Sequence, residues 1–211
     1  MPVTTYPAPI ERVMTPLDQA LLRDRRRRLL RQARGRVLEL GGAGGVNLEH
    51  YPAAAVTRVV VVGADAAGRS RLQRVAARRA LEVELRALDD AGSGFDTIVA
   101  AFILSARSDL HEELRALAAR LSDDGRLLFI DHSPRRPGGL ATELSRPLWR
   151  LTTEGFVPGR DLPAALRHAG FTILSLDRFG LPTLTLPLRS CVAGMARRYR
   201  PDGAMRVKGE Q

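Results

Sequence analysis

The sequence predicts an α/β protein: a doubly wound seven-stranded sheet, parallel except for an antiparallel hairpin at one edge. Three observations predict it. Short apolar runs alternate with amphipathic helical segments from residue 35 to residue 131, the pattern of parallel strands joined by crossover helices. The run VTRVVVVG at 56–63 is apolar without alternation, as a strand covered on both faces requires. Near the end, FTILSLDRF and RSCVAGMARR follow one another with only the proline-rich GLPTLTLPL between them, which fits a hairpin and leaves no room for a crossover helix.

Taken in order, residues 1 to about 12 hold three prolines and read as an irregular arm. Leu17, Ala20, Leu21, Leu29 and Leu30 mark the apolar side of a helix from Pro16 to Arg34, ended by Gly35, with a strongly basic opposite side. Val37 to Leu40 is a short buried strand, followed by a glycine loop and a short helix begun near Asn47. After the central strand at 56–63, residues 67–80 form a helix with Leu72, Val75 and Ala76 inward. LEVELRAL alternates and so belongs nearer an edge, and FDTIVAAFIL is a fourth strand followed by a helix over 108–121. The turn SDDG at 122–125 leads to a fifth strand, RLLFID. Helices around 140–151 and 160–169, the second closed by Gly170, precede the hairpin, and the last ten residues are polar and loose.

Composition bounds the function. A chain of 211 residues with 45% hydrophobic and 27% charged residues forms one well-buried domain. The formal net charge of +10 comes almost wholly from arginine, because Lys208 is the single lysine. The densest basic run, RDRRRRLLRQAR, has no interleaved aromatics, so no nucleic-acid partner is expected. It reads as a solvated helix face or, through Arg25, Arg26, Arg27 and Arg28, as a peripheral contact with an anionic membrane. One cysteine, Cys191, excludes an internal disulfide and a multi-cysteine metal site, and is expected to fill core space. No basic segment leads into an apolar run near residue 1, and no stretch reaches the about 20 apolar residues of a membrane span. A soluble, cytoplasmic protein with a small-molecule substrate is the expectation.

The chemistry centres on VLELGGAGGVNLEHYP, residues 37–52. A glycine-rich turn after the first strand of such a sheet lies where open α/β sheets bind ligands, and missing side chains let the backbone approach. The dinucleotide fingerprint GxGxxG fails here, since Asn47 stands where the third glycine is required after Gly42 and Gly44. That disfavours a nicotinamide-dependent oxidoreductase. The segment instead resembles motif I of the class I S-adenosylmethionine-dependent methyltransferases, and is especially similar to the type-11 members. FDTIVAAFIL resembles their fourth strand, LAARLSDDGRLLFIDH their fifth with its lead-in, and PLWRLTTEGFVPGRDLPAALRHAGF their tryptophan-containing insert, here with Trp149. The resemblance covers roughly residues 35–198.

What the resemblance implies is a Rossmann-like methyltransferase domain over 35–200, preceded by an arm and lid-like basic helix over 1–34 and followed by a tail over 201–211. It implies S-adenosylmethionine as cofactor, with Glu39, Gly41 and Gly45 around its methionine part and Gly42, Ala43 and Asn47 completing the loop. Phe102 would lie near the sulfonium and the substrate. His132 would face the substrate pocket and is the candidate general base, because imidazole titrates near neutrality. The other reading of His132 is a strand-end histidine held for structure; Asp131 beside it either orients the ring or ends the strand.

Three positions depart from the family pattern. Ala43 replaces the middle glycine of GxGxG, and Gly63 stands where an acidic residue normally accepts both ribose hydroxyls. Asp65 is the candidate replacement, or else a helix N-cap. RALDDAGSG lacks the usual adenine-binding pattern, leaving Asp89 or Asp90 to substitute or to serve as turn residues. The leading expectation is methyl transfer to a small, apolar molecule. The alternative is a binding or regulatory module, a pseudoenzyme, that keeps the fold with weakened cofactor binding.

Overall fold

The computed structural model describes residues 15–41, 45–64, 66–107, 109–133, 160–182, 184 and 189–199. The helix expected around 140–151, with Trp149, lies outside the described residues. The described elements are α1 (Pro16–Leu30), β1 (Gly35–Leu40), a 3₁₀ turn (Asn47–His50), β2 (Val56–Val62), α2 (Ala66–Arg79), β3 (Val83–Arg86) and β4 (Phe95–Ala101). A second 3₁₀ turn (Leu104–Ala106), α3 (Leu110–Arg120), β5 (Leu121–His132), α4 (Leu162–His168), β6 (Phe171–Gly180) and β7 (Ser190–Arg198) follow.

The seven strands form one sheet in the order β3-β2-β1-β4-β5-β7-β6. β1 pairs in parallel with β2 and β4, β3 with β2, and β5 with β4. β7 runs antiparallel between β5 and β6, so the expected hairpin is present at the edge, with its second strand inserted. β2 is apolar on both faces because both are covered: Val60 and Val62 join a core with α3 and α4, while Val59 and Val61 join one with α1 and α2.

The period-2 alternation of strands then decides which side chains meet. On β1, Leu38 and Leu40 enter the α3–α4 core and Val37 the α1–α2 core, which puts Glu39 on the α1–α2 face. On β5, Leu127 and Phe129 take the first face and Leu128 and Ile130 the second. By the same alternation His132 falls on the α1–α2 face, and Asp131 on the other.

Three local expectations are corrected. α1 ends at Leu30 and not at Arg34, because the N–H groups of Gln32 and Ala33 bond to the carbonyls of Leu29 and Leu30, each at 3.0 Å, tightening the chain out of the helix. Gly35 begins β1 with φ of +60°, and a Cβ there would stand 2.1 Å from Asp96 Oδ2. The inward stripe of α1 is Asp18, Leu22, Arg26, Leu29 and Leu30, whereas Leu17 is 55% exposed and Ala20 is exposed. The helical period holds but its phase shifts by one, because two charged residues occupy buried positions. The segment from Asn47 is one 3₁₀ turn, ended by extended Tyr51.

The SDDG segment is absorbed into β5 as an irregularity, where pairing jumps from Phe95↔Leu121 to Thr97↔Arg126. No described helix is long and apolar enough to cross a membrane.

Candidate functional site

β1 and β4 are neighbours whose chains continue in opposite directions across the sheet, β1 to β2 and β4 to β5. Their carboxyl ends therefore diverge and leave a crevice between the loops that follow them. Gly41 follows β1, Gly63 follows β2, Asp89 sits in the turn after β3, Phe102 follows β4 and His132 ends β5, so the sequence-predicted residues among those described share one end of the sheet. Gly42, Ala43 and Asp65 lie outside the described residues.

Glu39 is fully buried. Asn47 Nδ2 donates to its Oε1 at 2.5 Å, and the Tyr51 hydroxyl donates to its Oε2. Burial, followed by the Glu39 charge, pushes the Tyr51 phenol well above its ordinary range, so it stays a donor. The 3₁₀ turn brings Asn47 and Tyr51 back over β1, with Leu48 and Tyr51 seated in the α1–α2 core. Glu39 thus holds the 3₁₀ turn and Tyr51 against β1. Gly41 and Gly45 bracket the glycine loop with φ of +75° and +87°, a backbone that L side chains rarely adopt. A Cβ on Gly45 would also stand 3.3 Å from Val75 Cγ2 and 3.4 Å from Leu72 Cα, so α2 packs against the loop.

Phe102 holds φ of +56°, the left-handed region in a bulky residue, with its N–H bonded to Ile130 O at 2.7 Å. Its ring packs on the His132 imidazole, 5.0 Å between centroids and tilted by 48°. Both side chains are buried. Opposite His132 across the β5–β7 ladder stands Cys191, whose sulfur lies 3.4 Å from His132 Nδ1. Burial raises the thiol's pKa far above its ordinary value, and the Asp131 and Asp18 carboxylates add to this, so it remains S–H. Cys191 therefore does more than fill core space: its sulfur sits against the Nδ1 edge of the histidine.

Asp131 does not orient the imidazole by its side chain. Its carboxylate points to the opposite face, accepting the N–H of Ser105 at 3.0 Å and that of His132 at 2.7 Å. Burial raises its pKa to about 6 against the lowering effect of these donors. It ties the 3₁₀ turn after β4 to the end of β5, and so sets Phe102 and His132 side by side through the backbone.

Gly63 has φ of +75°, so the end of β2 is shaped for glycine, and an acidic side chain there would be strained. Asp89 and Asp90 are exposed. The four consecutive arginines of α1 divide by helical phase. Arg25 bonds Asp177 Oδ2 at 3.1 Å and stacks 4.4 Å over the Phe179 ring, Arg26 is buried, and Arg27 and Arg28 are exposed.

Sequence reasoning missed Tyr51 and Cys191 as parts of the site. Tyr51 follows Glu39 by twelve positions, across a glycine-rich segment and one 3₁₀ turn that carry no periodic signal. The Cys191–His132 contact depends on the hairpin register, which no local pattern encodes.

Residues 16–176 match the sequence family described as "Methyltransferase domain". Among solved structures, the N-methyltransferase NodS from Bradyrhizobium japonicum WM9, in complex with S-adenosyl-L-homocysteine, superposes with a TM-score of 0.64 at 18% identity, covering 92% of this chain and 93% of that one. An S-adenosylmethionine-dependent methyltransferase from Mesorhizobium loti gives 0.57 at 20% identity, covering 82% and 95%. The [4+2]-cyclase SpnF gives 0.63 at 17%, covering 86% and 80%. At these identities the structures show a common fold, and SpnF shows that this fold is not tied to one reaction.

Proposed function

The chain belongs to the methyltransferase-domain family, and from that premise we propose that it binds S-adenosylmethionine at the carboxyl ends of β1 and β4 and transfers its methyl group to a small, apolar acceptor. The observation that carries this reading is the convergence of Glu39, Gly41, Gly45, Phe102 and His132 on one end of the sheet. NodS, with the same fold, holds the demethylated product of that cofactor.

The residues present fit the cofactor. Gly41 and Gly45 offer backbone without Cβ atoms around a loop braced by Glu39, Asn47 and Tyr51. The 3₁₀ turn is only four residues long, so its dipole is small and backbone N–H groups carry the polar contacts. With Gly63 shaped for glycine, the ribose contact is assigned to Asp65 and the adenine end to the turn holding Asp89.

When bound, S-adenosylmethionine supplies a methyl group on a sulfonium already activated for displacement. The protein's part is chiefly to align acceptor and methyl group, which supplies about 7 to 11 kcal/mol. Phe102 walls the site with an apolar ring and excludes water from it. His132 accepts a proton at Nε2 where the acceptor must lose one, its ring proton then lying on Nδ1 toward the Cys191 sulfur.

Calorimetric titration with S-adenosylmethionine and S-adenosylhomocysteine, with NAD as control, tests the reading. Binding of the first two and not of NAD is expected, and no heat at millimolar cofactor would overturn it. Asp65→Ala should weaken binding about tenfold or more, as loss of a hydrogen bond to a charged group does. His132→Gln should leave cofactor affinity unchanged while turnover falls about 10²- to 10⁴-fold. Gly63 also favours the second reading, a methyltransferase fold with weakened cofactor binding; affinity retained only near the millimolar range, with no turnover on any acceptor, would select it.

A further inference from the structure

α1 and α2 pack on the same face of the sheet, their apolar residues sharing one core. The 3₁₀ turn at Asn47–His50 lies between them and contacts both. The outward sides of these helices are almost uniformly cationic. α2 carries five arginines and no acid. On α1 the exposed positions include Arg23, Arg27 and Arg28, and the C-cap Arg31 continues them.

Few of these charges are neutralised locally. Arg27 pairs with Asp24 at 3.4 Å and Arg78 with Glu49 at 3.1 Å, both exposed pairs of little energetic weight. Among the described residues, Arg23, Arg28, Arg31, Arg69, Arg71 and Arg74 hold no carboxylate. Burial and the inward-facing Arg26 lower the pKa of His50, and Arg27 and Arg23 of the outward face act in the same direction. The opposite face is mixed, with Glu112 and Glu113 on α3 balancing Arg115 and Arg120.

We propose that the outward face of α1 and α2 is a docking surface for an anionic lipid bilayer. Broad cationic surfaces are drawn to acidic headgroups without any pocket. Neither helix contains an aromatic residue, so the stacking platform that single-stranded nucleic acid requires is absent. Leu17, 55% exposed on the first turn of α1, adds an apolar contact at one margin. α1 itself packs against β5 and β7, the strands that carry His132 and Cys191.

The surface stands independently of methyl transfer and is tested without it. The full chain is co-sedimented with vesicles of phosphatidylcholine alone and of phosphatidylcholine with phosphatidylglycerol, at low and high salt. Binding only to the anionic vesicles, lost at high salt, is expected. The Arg23→Glu/Arg28→Glu and Arg71→Glu/Arg74→Glu variants should each lower the partition coefficient tenfold or more, and Arg115→Glu/Arg167→Glu on the opposite face should not change it. Equal binding to neutral vesicles, salt-independent binding, or an equal loss in the opposite-face variant would overturn the proposal. So would binding to an RNA oligonucleotide under conditions where anionic vesicles do not compete.

Discussion

The Phe102 ring packs at a tilt against the His132 imidazole, 5.0 Å between centroids, from a backbone with φ of +56°. A bulky side chain is held there at a conformational cost of about 1 to 2 kcal/mol, and strain of this kind gathers where a side chain must be aimed.

Because that strain belongs to the Cβ-bearing backbone, the order of two substitutions is fixed. Phe102→Ala should destabilise by about 3 to 5 kcal/mol through loss of the buried ring. Phe102→Gly loses the same ring but relieves the backbone, and should be more stable than the alanine variant by about 1 kcal/mol. Urea denaturation measures both. An alanine variant more stable than the glycine one would mean that position 102 is unstrained.

Glu39 and Tyr51 should behave as one unit. Tyr51→Phe leaves a buried carboxylate with one donor fewer and should cost about 1 to 3 kcal/mol. Once Glu39→Gln has removed the charge, the same tyrosine substitution should cost less, giving a coupling of about 1 kcal/mol in the double-mutant cycle. Strict additivity would show that the hydroxyl contact carries no weight.

Asp131 gives stability a pH dependence of defined sign. Its folded pKa of about 6 lies above the ordinary value of 3.8, so the fold favours the neutral acid. The contribution is complete below pH of about 4 and is lost as pH rises through about 6, where the buried group must ionise; the loss is on the order of 3 kcal/mol. Asp131→Asn should flatten the stability profile between these pH values, as read by denaturant midpoints. An equally steep profile in the variant would assign the dependence to another group.

Gly63 should resist the family's usual acid. Gly63→Asp places a side chain at φ of +75° and should cost about 1 to 2 kcal/mol, with no tightening of cofactor binding by calorimetry. A tenfold gain in affinity would show that the end of β2 can still serve the ribose.

Much of the frame was legible in the sequence because it is periodic. The uninterrupted valines of β2 announced a doubly covered strand, and the hairpin's proline-rich link excluded a crossover. α1 was legible in period but misjudged in phase, since Asp18 and Arg26 occupy buried positions that hydrophobicity assigns to water. For the candidate site, Glu39, Phe102 and His132 were named through the family resemblance, and they lie toward the carboxyl end of the sheet. The contacts between them were not: Tyr51 reaches Glu39 through a turn without period, and Cys191 reaches His132 through the pairing of β5 with β7. Of the two readings of Asp131, the one in which its side chain orients the imidazole falls away, since adjacent residues on a strand face opposite ways.

The insertion of β7 between β5 and β6 sets an order of assembly. Until residues 190–198 are synthesised, β5 lacks the partner it has on that side in the finished sheet. A nascent or truncated chain in that state offers a template for pairing with another molecule. His132, at the end of β5, gains its sulfur neighbour only when the last strand arrives. Completion of the pocket and protection against aggregation are thus the same late event.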